Sequence, residues 1–511
     1  MAIKYMIGVD LGTTSTKVVL FDLKGHAIAT ANNPYPLYQD TPDMAEEDPE
    51  EIFAATVGGL TEVMHRGNVQ PDELGGVSFS AAMHSLILMD ENDKPLTRVI
   101  TWADNRAAAY ATKLKQSDLG MTLFKNTGVP THPMSPLVKL LWLSAEHPEL
   151  VAQTSHFIGI KDFILFRFFG RYVQDYSLAN ATGLFNIHTM DWDDRALDVA
   201  NVRRDQLPEL VDTSYQLTGL NANYAAVTGI DAKTPFILGA SDGTLSNLGV
   251  GAIDPGVRVV TDNPVVDPQG RLFTYYLSPN HWVVGGPVNN GGIVFRWVRD
   301  QLFAPEKLTA EQLQVDSYEI LTEIASKIPA GADGLLFHPY LGGERAPIWD
   351  ANARGSFFGL TRQHTRAHMV RAALEGIVYN LYMVMLMIEG ITGKPKAIQA
   401  TGGFARSALW RQMLADVFEQ EVNIPESFES SALGAVVLGM KSLGLIDDLN
   451  VVKDMIGVTN THEPNADNFQ AYRELLPIWI RLTRKLGSEY QAIADYQRAH
   501  PDPNAHIAAE D

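Results

Sequence analysis

The apolar positions of the first forty residues fall into three short runs separated by turn residues. Residues 3–9 are apolar, DLGTTST turns, residues 17–21 are apolar again, DLKG turns, and residues 26–32 complete the set. That pattern predicts a three-stranded meander. Asp48-Pro49 then joins a helix N-cap to a proline suited to a first helical turn, predicting a helix to about His65. Short apolar runs follow at 76–81 and 85–89, and helical patterns recur at 106–115 and 135–145. Strands and helices mixed in this order predict α/β layering.

The second half opens with the strand-like TPFILGASDG at 234–243, followed by SPNHWVVGG, a helix-forming GIVFRWVRDQL and a long helical stretch from 367 to about 389. In ATGGFARSALWRQMLADVF, Trp410, Met413, Leu414 and Val417 share one face at helical spacing, which reads as a core stripe. The longest apolar run, 377–388, contains Asn380 and is flanked by Glu375 and Glu389, so it predicts a buried helix rather than a membrane span. At the N-terminus, the apolar stretch after Lys4 is short and meets Gly8, Asp10 and Gly12, unlike a signal peptide. The tail from His500 is polar and is expected to fray.

At 511 residues, the chain is long enough for two large domains. Its 40 Lys and Arg against 60 Asp and Glu give a formal charge of -20, a poor match for nucleic acid or an anionic membrane. There is no cysteine, which excludes disulfides, zinc–thiolate and iron–sulfur sites and a cysteine nucleophile. A cytoplasmic protein is the expectation.

Three segments carry candidate chemistry. Asp10-Leu11-Gly12-Thr13-Thr14-Ser15-Thr16-Lys17 places a carboxylate at a strand end, then a glycine and consecutive hydroxyls in a tight hairpin. Backbone N–H groups and hydroxyls of such a turn can surround phosphate oxygens, Asp10 can hold Mg²⁺, and Lys17 can supply a point charge. A plain β-turn is the alternative. No GxxxxGK[ST] sequence occurs, which excludes a P-loop. Asp242, in Gly239-Ala240-Ser241-Asp242-Gly243, is a carboxylate at the end of an apolar strand, open to a role as base or as a helix cap. Thr401-Gly402-Gly403-Phe404 precedes a helix, where glycines admit a flat ring close to the backbone, or form only a strand-to-helix turn.

Together these segments resemble the FGGY family of carbohydrate kinases, within the actin-like ATPase superfamily. DLGTTSTK is similar to the family's first phosphate hairpin, and GASDG to the segment with its catalytic aspartate. TGGFARSALWRQMLADVF, continued by ESSALGAVVLG, resembles the adenosine-side signature, and LGGERAPIWDANARGSFFGL adds a fourth block in the family's order. The resemblance spans residues 6 to about 440. It implies an α/β fold of two ribonuclease-H-like domains flanking an interdomain cleft, with domains at 1–244 and 245–496 and a polar tail at 497–511. It further implies ATP and Mg²⁺ as cofactors, and a small sugar or sugar acid as the partner.

SAAMHSL, TWADNRA and GGPVNNGGIVFRW look most like the gluconate-phosphorylating members, with xylulose-phosphorylating members as nearest rivals. Carried over, the resemblance implies that Met83, His84, Trp102, Asp104 and Asp242 line the sugar site, with Asp242 as catalytic base. Gly12, Thr13, Thr14, Lys17, Gly402, Gly403 and Phe404 would meet ATP, and Asp10 would face the metal. Arg106 is open to pairing with a substrate carboxylate or to a surface ion pair, the latter being the simpler reading. Homodimers are common in the family, and a homodimer is open to this chain.

One element departs from the family. GVGAIDPG at 249–256 runs directly into VRVVTDNPVVDPQG, and no Gly-Thr-Ser occurs where the family has its second phosphate turn. Phosphoryl transfer depends almost wholly on positioning and electrostatics. A ligand-binding relative with impaired catalysis is therefore a second expectation beside the kinase. An actin-like chaperone or filament is a third, and leaves WADNRA and GERAP without a purpose.

Overall fold

The meander forms as the pattern predicts. In the computed structural model, β1 (Tyr5–Leu11), β2 (Ser15–Asp22) and β3 (Ala27–Pro34) are antiparallel neighbours, with Val9 opposite Val18 and Asp10 opposite Lys17. The structure describes residues 3–41, 43–252, 260–395, 398–400, 407–425 and 429–500. The strand β4 (Leu74–Ala81) runs parallel to β1 on the other side and is buried at every position, as a central strand should be. Beyond it come β5 (Gln216–Leu217) and β6 (Phe236–Ser241), giving a six-stranded sheet in the order β5-β6-β4-β1-β2-β3. Because β1, β4 and β6 are parallel, their carboxyl ends share one edge.

The helices follow their sequence signals. Helix α1 (Pro49–Arg66) starts where expected, with the Asp48 side chain accepting from Glu50 N, and buries Ile52, Phe53, Leu60 and Val63 against the sheet. Helix α2 (Pro136–Glu146) and α3 (Asp242–Gly249) follow, the latter opening directly from the end of β6. Helix α4 (Ser430–Ser442), late in the sequence, lies on the same sheet. Its small residues are explained by closeness: a Cβ on Gly434 would stand 2.1 Å from Leu245 O, and one on Gly249 would stand 1.8 Å from Ser430 O. The ESSALGAVVLG segment is thus built so that two helix backbones can touch.

The chain divides into two compact units. The first comprises Met1–Gly285, Gly390–Lys396 and Pro425–Thr459, and the second Gly286–Glu389, Ala397–Ile424 and Asn460–Asp511. The first unit therefore runs past the 244/245 boundary read from sequence. The reason is local: the strand Phe273–Ser278 pairs with His281–Gly285, its Tyr276 N donates to Asn180 Oδ1, and Trp282 joins a core with Leu86, Phe157 and Phe185.

The long helix Arg366–Thr392 belongs to the second unit as far as Glu389. It is long and apolar enough to cross a membrane, yet Val370, Leu374, Ile377, Val378 and Tyr379 lie in the unit's core, as expected for a buried helix. Glu375 on this helix is buried against Arg371, at 2.7 Å, and accepts from the Tyr472 hydroxyl. The Trp410 stripe also packs inward from Ala408–Phe418, with Trp410, Met413, Leu414 and Val417 at most 4% exposed. GIVFRWVRDQL is helical from Gly292–Trp297 and then widens into one π turn at Val298–Leu302. The tail beyond His500 lies outside the described residues.

Candidate functional site

The site grows from the carboxyl edge of β1, β4 and β6, where open α/β sheets bind their ligands. Asp10 sits opposite Ser80, Ser80 opposite Ala240, and Ala81 opposite Ser241, so the residues expected to do chemistry end their strands at one level. What aims Asp242 is a bulge at Gly239. Its φ of +67 and the 1.7 Å that would separate a Cβ from Phe79 O exclude any side chain there. Asp242 is the first residue of α3, half-buried, with Gly243 N donating to its Oδ1 at 2.7 Å. Beneath it, the hydroxyls of Ser177, Ser241 and Thr244 bond to one another and hold the strand end.

Asp10 is half-buried and accepts from the Ser80 hydroxyl at 2.7 Å. Burial raises its pKa, against the opposing pull of Ser80 and of Lys17 across the hairpin. A lone carboxylate at a strand end suits Mg²⁺, which binds through one or two carboxylates and completes its shell with phosphate and water. The hairpin itself is tight, with Gly12 N donating to Ser15 O and Tyr35 N to Thr14 O. Gly12 and Thr13 are half-buried and Thr14 is exposed. Lys17 Nζ lies 2.8 Å from Glu429.

The expected sugar residues adjoin this hairpin. Trp102 Nε1 donates to Thr13 Oγ1 at 2.9 Å, joining the WADNRA segment to the Asp10–Lys17 hairpin. Met83 and His84 form the turn after β4. The Met83 methyl lies where a Cβ on Gly243 would meet it at 2.9 Å, placing it beside the first turn of α3. His84 has a φ of +67, unusual for a residue with a Cβ. Its Nδ1 is 2.7 Å from Ala181 O, which as a carbonyl must accept, leaving Nε2 as the ring's acceptor toward the Tyr275 hydroxyl at 3.3 Å.

Asp104 is placed differently from its expected role. It is fully buried; its Oδ2 accepts from Ala45 N and Arg106 Nε, and its Oδ1 from Arg106 N. Arg106 also pairs with Glu46 and lies over the Trp142 ring at 4.6 Å. This carboxylate organises the loop that carries Trp102, and Arg106 is a half-buried clamp rather than a surface ion pair. Gly402, Gly403 and Phe404 lie outside the described residues, as do residues 253–259 of the segment expected to lack the second phosphate turn.

Sequence reasoning missed two buried charges at this site. Lys139, within the apolar run PLVKLLWL, and Glu47, beside the Asp48 cap, are both inside the protein. A lysine interrupting an apolar helix face was the available signal for the first. Glu47 faces a small cavity of about 10 Å³ lined also by Gly12, Thr13, Met83 and Trp102. Burial pushes its pKa up to about 8.

In the second unit, the GERAP block holds a turn. Glu344 is buried and accepts from Asn289 N at 2.6 Å, Asn290 Nδ2 at 2.9 Å and Asn380 Nδ2 at 2.8 Å. Arg345 Nε donates to Asn289 Oδ1. The Asn-Asn pair of PVNNGG is thereby fixed by a carboxylate that keeps no free oxygen.

Comparison with known proteins gives the class, a carbohydrate kinase of the two-domain α/β type. Residues 5–249 match the N-terminal domain and residues 256–443 the C-terminal domain of the FGGY family of carbohydrate kinases, and the chain belongs to that family. It is 51% identical over 510 residues to a gluconokinase of Bacillus licheniformis, covering 97% of this chain and 98% of that one. Two structures from Lactobacillus acidophilus, a gluconate kinase and a ligand-bound xylulose kinase, are each 39% identical, with TM-scores of 0.89 and 0.90. Both cover 96% of this chain and 100% of their own.

Proposed function

We propose that this carbohydrate kinase transfers the γ-phosphoryl group of ATP to gluconate, giving 6-phosphogluconate. The observation that carries the reading is identity at half of all positions with a gluconokinase over nearly the whole length of both chains. The two solved relatives do not separate gluconate from xylulose, because they match this chain equally in identity.

In this reading the 6-hydroxyl of gluconate approaches Asp242, whose carboxylate takes the hydroxyl proton as the oxygen bonds to the γ-phosphorus. The bond from that phosphorus to the β-bridging oxygen breaks, and ADP leaves with the electron pair. Met83, His84 and Trp102 form the sugar wall, with the His84 ring oriented by Ala181 O and the Tyr275 hydroxyl. Thr13, Thr14 and Lys17 receive the phosphates, and Gly402, Gly403 and Phe404 border adenosine. Asp10 is the residue that would hold Mg²⁺, which when bound neutralises phosphate charge. Asp104 serves the site by fixing the Trp102 loop. A reaction that consumes ATP also supports a cytoplasmic setting.

The run from 249 to 260 without a Gly-Thr-Ser turn supports one rival, a relative that binds sugar or nucleotide without transfer. ADP release with Mg-ATP, measured with gluconate, xylulose, ribulose, glycerol and no sugar, separates the two. Gluconate-dependent turnover is expected. Binding of gluconate by calorimetry without turnover would overturn the kinase reading, and faster turnover with xylulose would move the substrate.

A further inference from the structure

The site contains one buried cation that no step above uses. Lys139, on α2, has no exposed surface. Its Nζ donates to His84 O at 2.6 Å, Ile100 O at 3.0 Å and Thr101 O at 2.7 Å. An ammonium has three donors, and all three are used on main-chain carbonyls. Those carbonyls come from two segments distant in sequence, the turn Met83–His84 after β4 and the strand end that leads into Trp102, which the Leu86–Ile100 backbone pair also joins at its far side.

The charge needs a reason to be there. Taking an ammonium out of water costs several kcal/mol in proteins even after relaxation. Burial lowers the Lys139 pKa to about 7, and Asp104 and Glu47 only partly offset this through space. The groups around it are Asp104 and Arg106 on the Trp102 loop, Glu47 on the strand Glu46–Glu47, and His84 itself. His84 is held in the left-handed region, a conformation that persists only where its surroundings over-determine it. One of those constraints is the Lys139 bond to its carbonyl.

We infer that Lys139 is a positioning residue for the acceptor sugar, fixing the Met83–His84 turn and the Trp102 segment as one wall. This rests on the reading that those residues face the sugar. The consequence is a split between substrates. Loss of the three bonds should loosen the sugar wall and leave the phosphate hairpin, which Gly12 and Thr14 close by their own backbone bonds, in place.

The test is steady-state kinetics of Lys139→Met, which keeps the stem and removes the donors. The KM for gluconate should rise about ten-fold or more while that for ATP stays within about two-fold, with one cooperative melting transition retained. Lys139→Cys, alkylated with 2-bromoethylamine in denaturant and refolded, restores an ammonium on a stem of nearly the same length. The wild-type chain has no cysteine, so only that site reacts. Recovery of the gluconate KM to within about three-fold of wild type is expected. An unchanged gluconate KM in Lys139→Met, or equal rises for both substrates, would overturn the assignment. So would failure of both the methionine variant and the alkylated protein to fold, which would make Lys139 a core residue only. Wild-type protein that phosphorylates none of the sugars would instead end the kinase reading, and this assignment with it.

Discussion

Lys17 Nζ stands 2.8 Å from the Glu429 carboxylate, at the hairpin expected to take a phosphate. Both side chains are about one-third exposed, so the pair contributes no more than about 1 kcal/mol to stability. Its interest is functional. Glu429 stands at the N-cap position of α4, where its side chain makes no capping bond, and occupies the cation that a γ-phosphate would need. In Glu429→Gln, Lys17 is released to the nucleotide and one negative charge leaves its approach. The KM for ATP should fall about two- to five-fold, with the melting temperature within about 2 °C of wild type. A rise in the ATP KM would show that Glu429 shapes the site rather than competing for it.

In the proposed reading, Asp242 is the residue that takes the hydroxyl proton. Asp242→Asn keeps the size and the place at the start of α3 but cannot take a proton. Turnover should drop by about 10²–10⁴-fold, the range for a positioned general base, while the gluconate KM changes by less than about three-fold. Near-normal turnover in the ADP-release assay would remove Asp242 from the mechanism.

Much of this is legible in the amino-acid sequence alone. The meander, α1 and the buried helix at 366–392 follow from periodicity and caps, because each is decided by a local pattern that tertiary contacts reinforce. The placement of Asp10 and Asp242 at the ends of apolar strands is legible too. What the pattern could not carry was partnership across the sequence. Asp104 looks like a ligand residue until Ala45 N and Arg106 are seen to use both of its oxygens. Glu47 reads as half of an acidic pair, and only its pairing opposite Val99 turns it inward while Glu46 reaches Arg106. The strand at 273–278 belongs with the first unit for the same reason: nothing in its own residues announces that Tyr275 meets His84.

Glu47 also sets a pH dependence of known sign. Its buried Oε1 has no hydrogen-bond partner, and its pKa is pushed up to about 8 from an ordinary 4.5. Between those values the folded chain holds a proton that the unfolded chain has released. The stability this group contributes is therefore complete below about pH 4.5 and is lost as pH rises through 8. Lys139, with its pKa lowered to about 7, acts in the opposite sense only above that pH, and other buried groups such as Asp162 and His338, which titrate in the same range, cancel in the difference between wild type and the Glu47 variant. Calorimetry from about pH 5 to about pH 7 should find Glu47→Gln losing less stability per pH unit than wild type, by up to about 1.4 kcal/mol for one full proton. Parallel pH profiles would mean that Glu47 is already charged at pH 5, through water or a partner.

The close crossing of α3 and α4 makes a prediction that links packing to catalysis. Gly434 has no room for a methyl: its Cβ would lie 2.1 Å from Leu245 O and 2.9 Å from Leu245 C, main-chain atoms that no rotamer change can move. Gly434→Ala must therefore separate the helices, at about 1–3 kcal/mol for overpacking, which corresponds to a melting temperature lower by about 1–4 °C. Because α3 begins with Asp242, the same displacement would move the proposed base against its hydroxyl. A shift on the order of 1 Å can cost about 10²-fold in rate, so turnover should fall by at least about ten-fold while the ATP KM holds. Gly487→Ala is the control, since a methyl there meets nothing within 4 Å and lies in the first turn of a helix. It should melt within about 1 °C of wild type or slightly above, with unchanged kinetics. If Gly434→Ala melts lower but turns over normally, α3 does not position the base. If it melts as wild type, the helices are not in backbone contact at all.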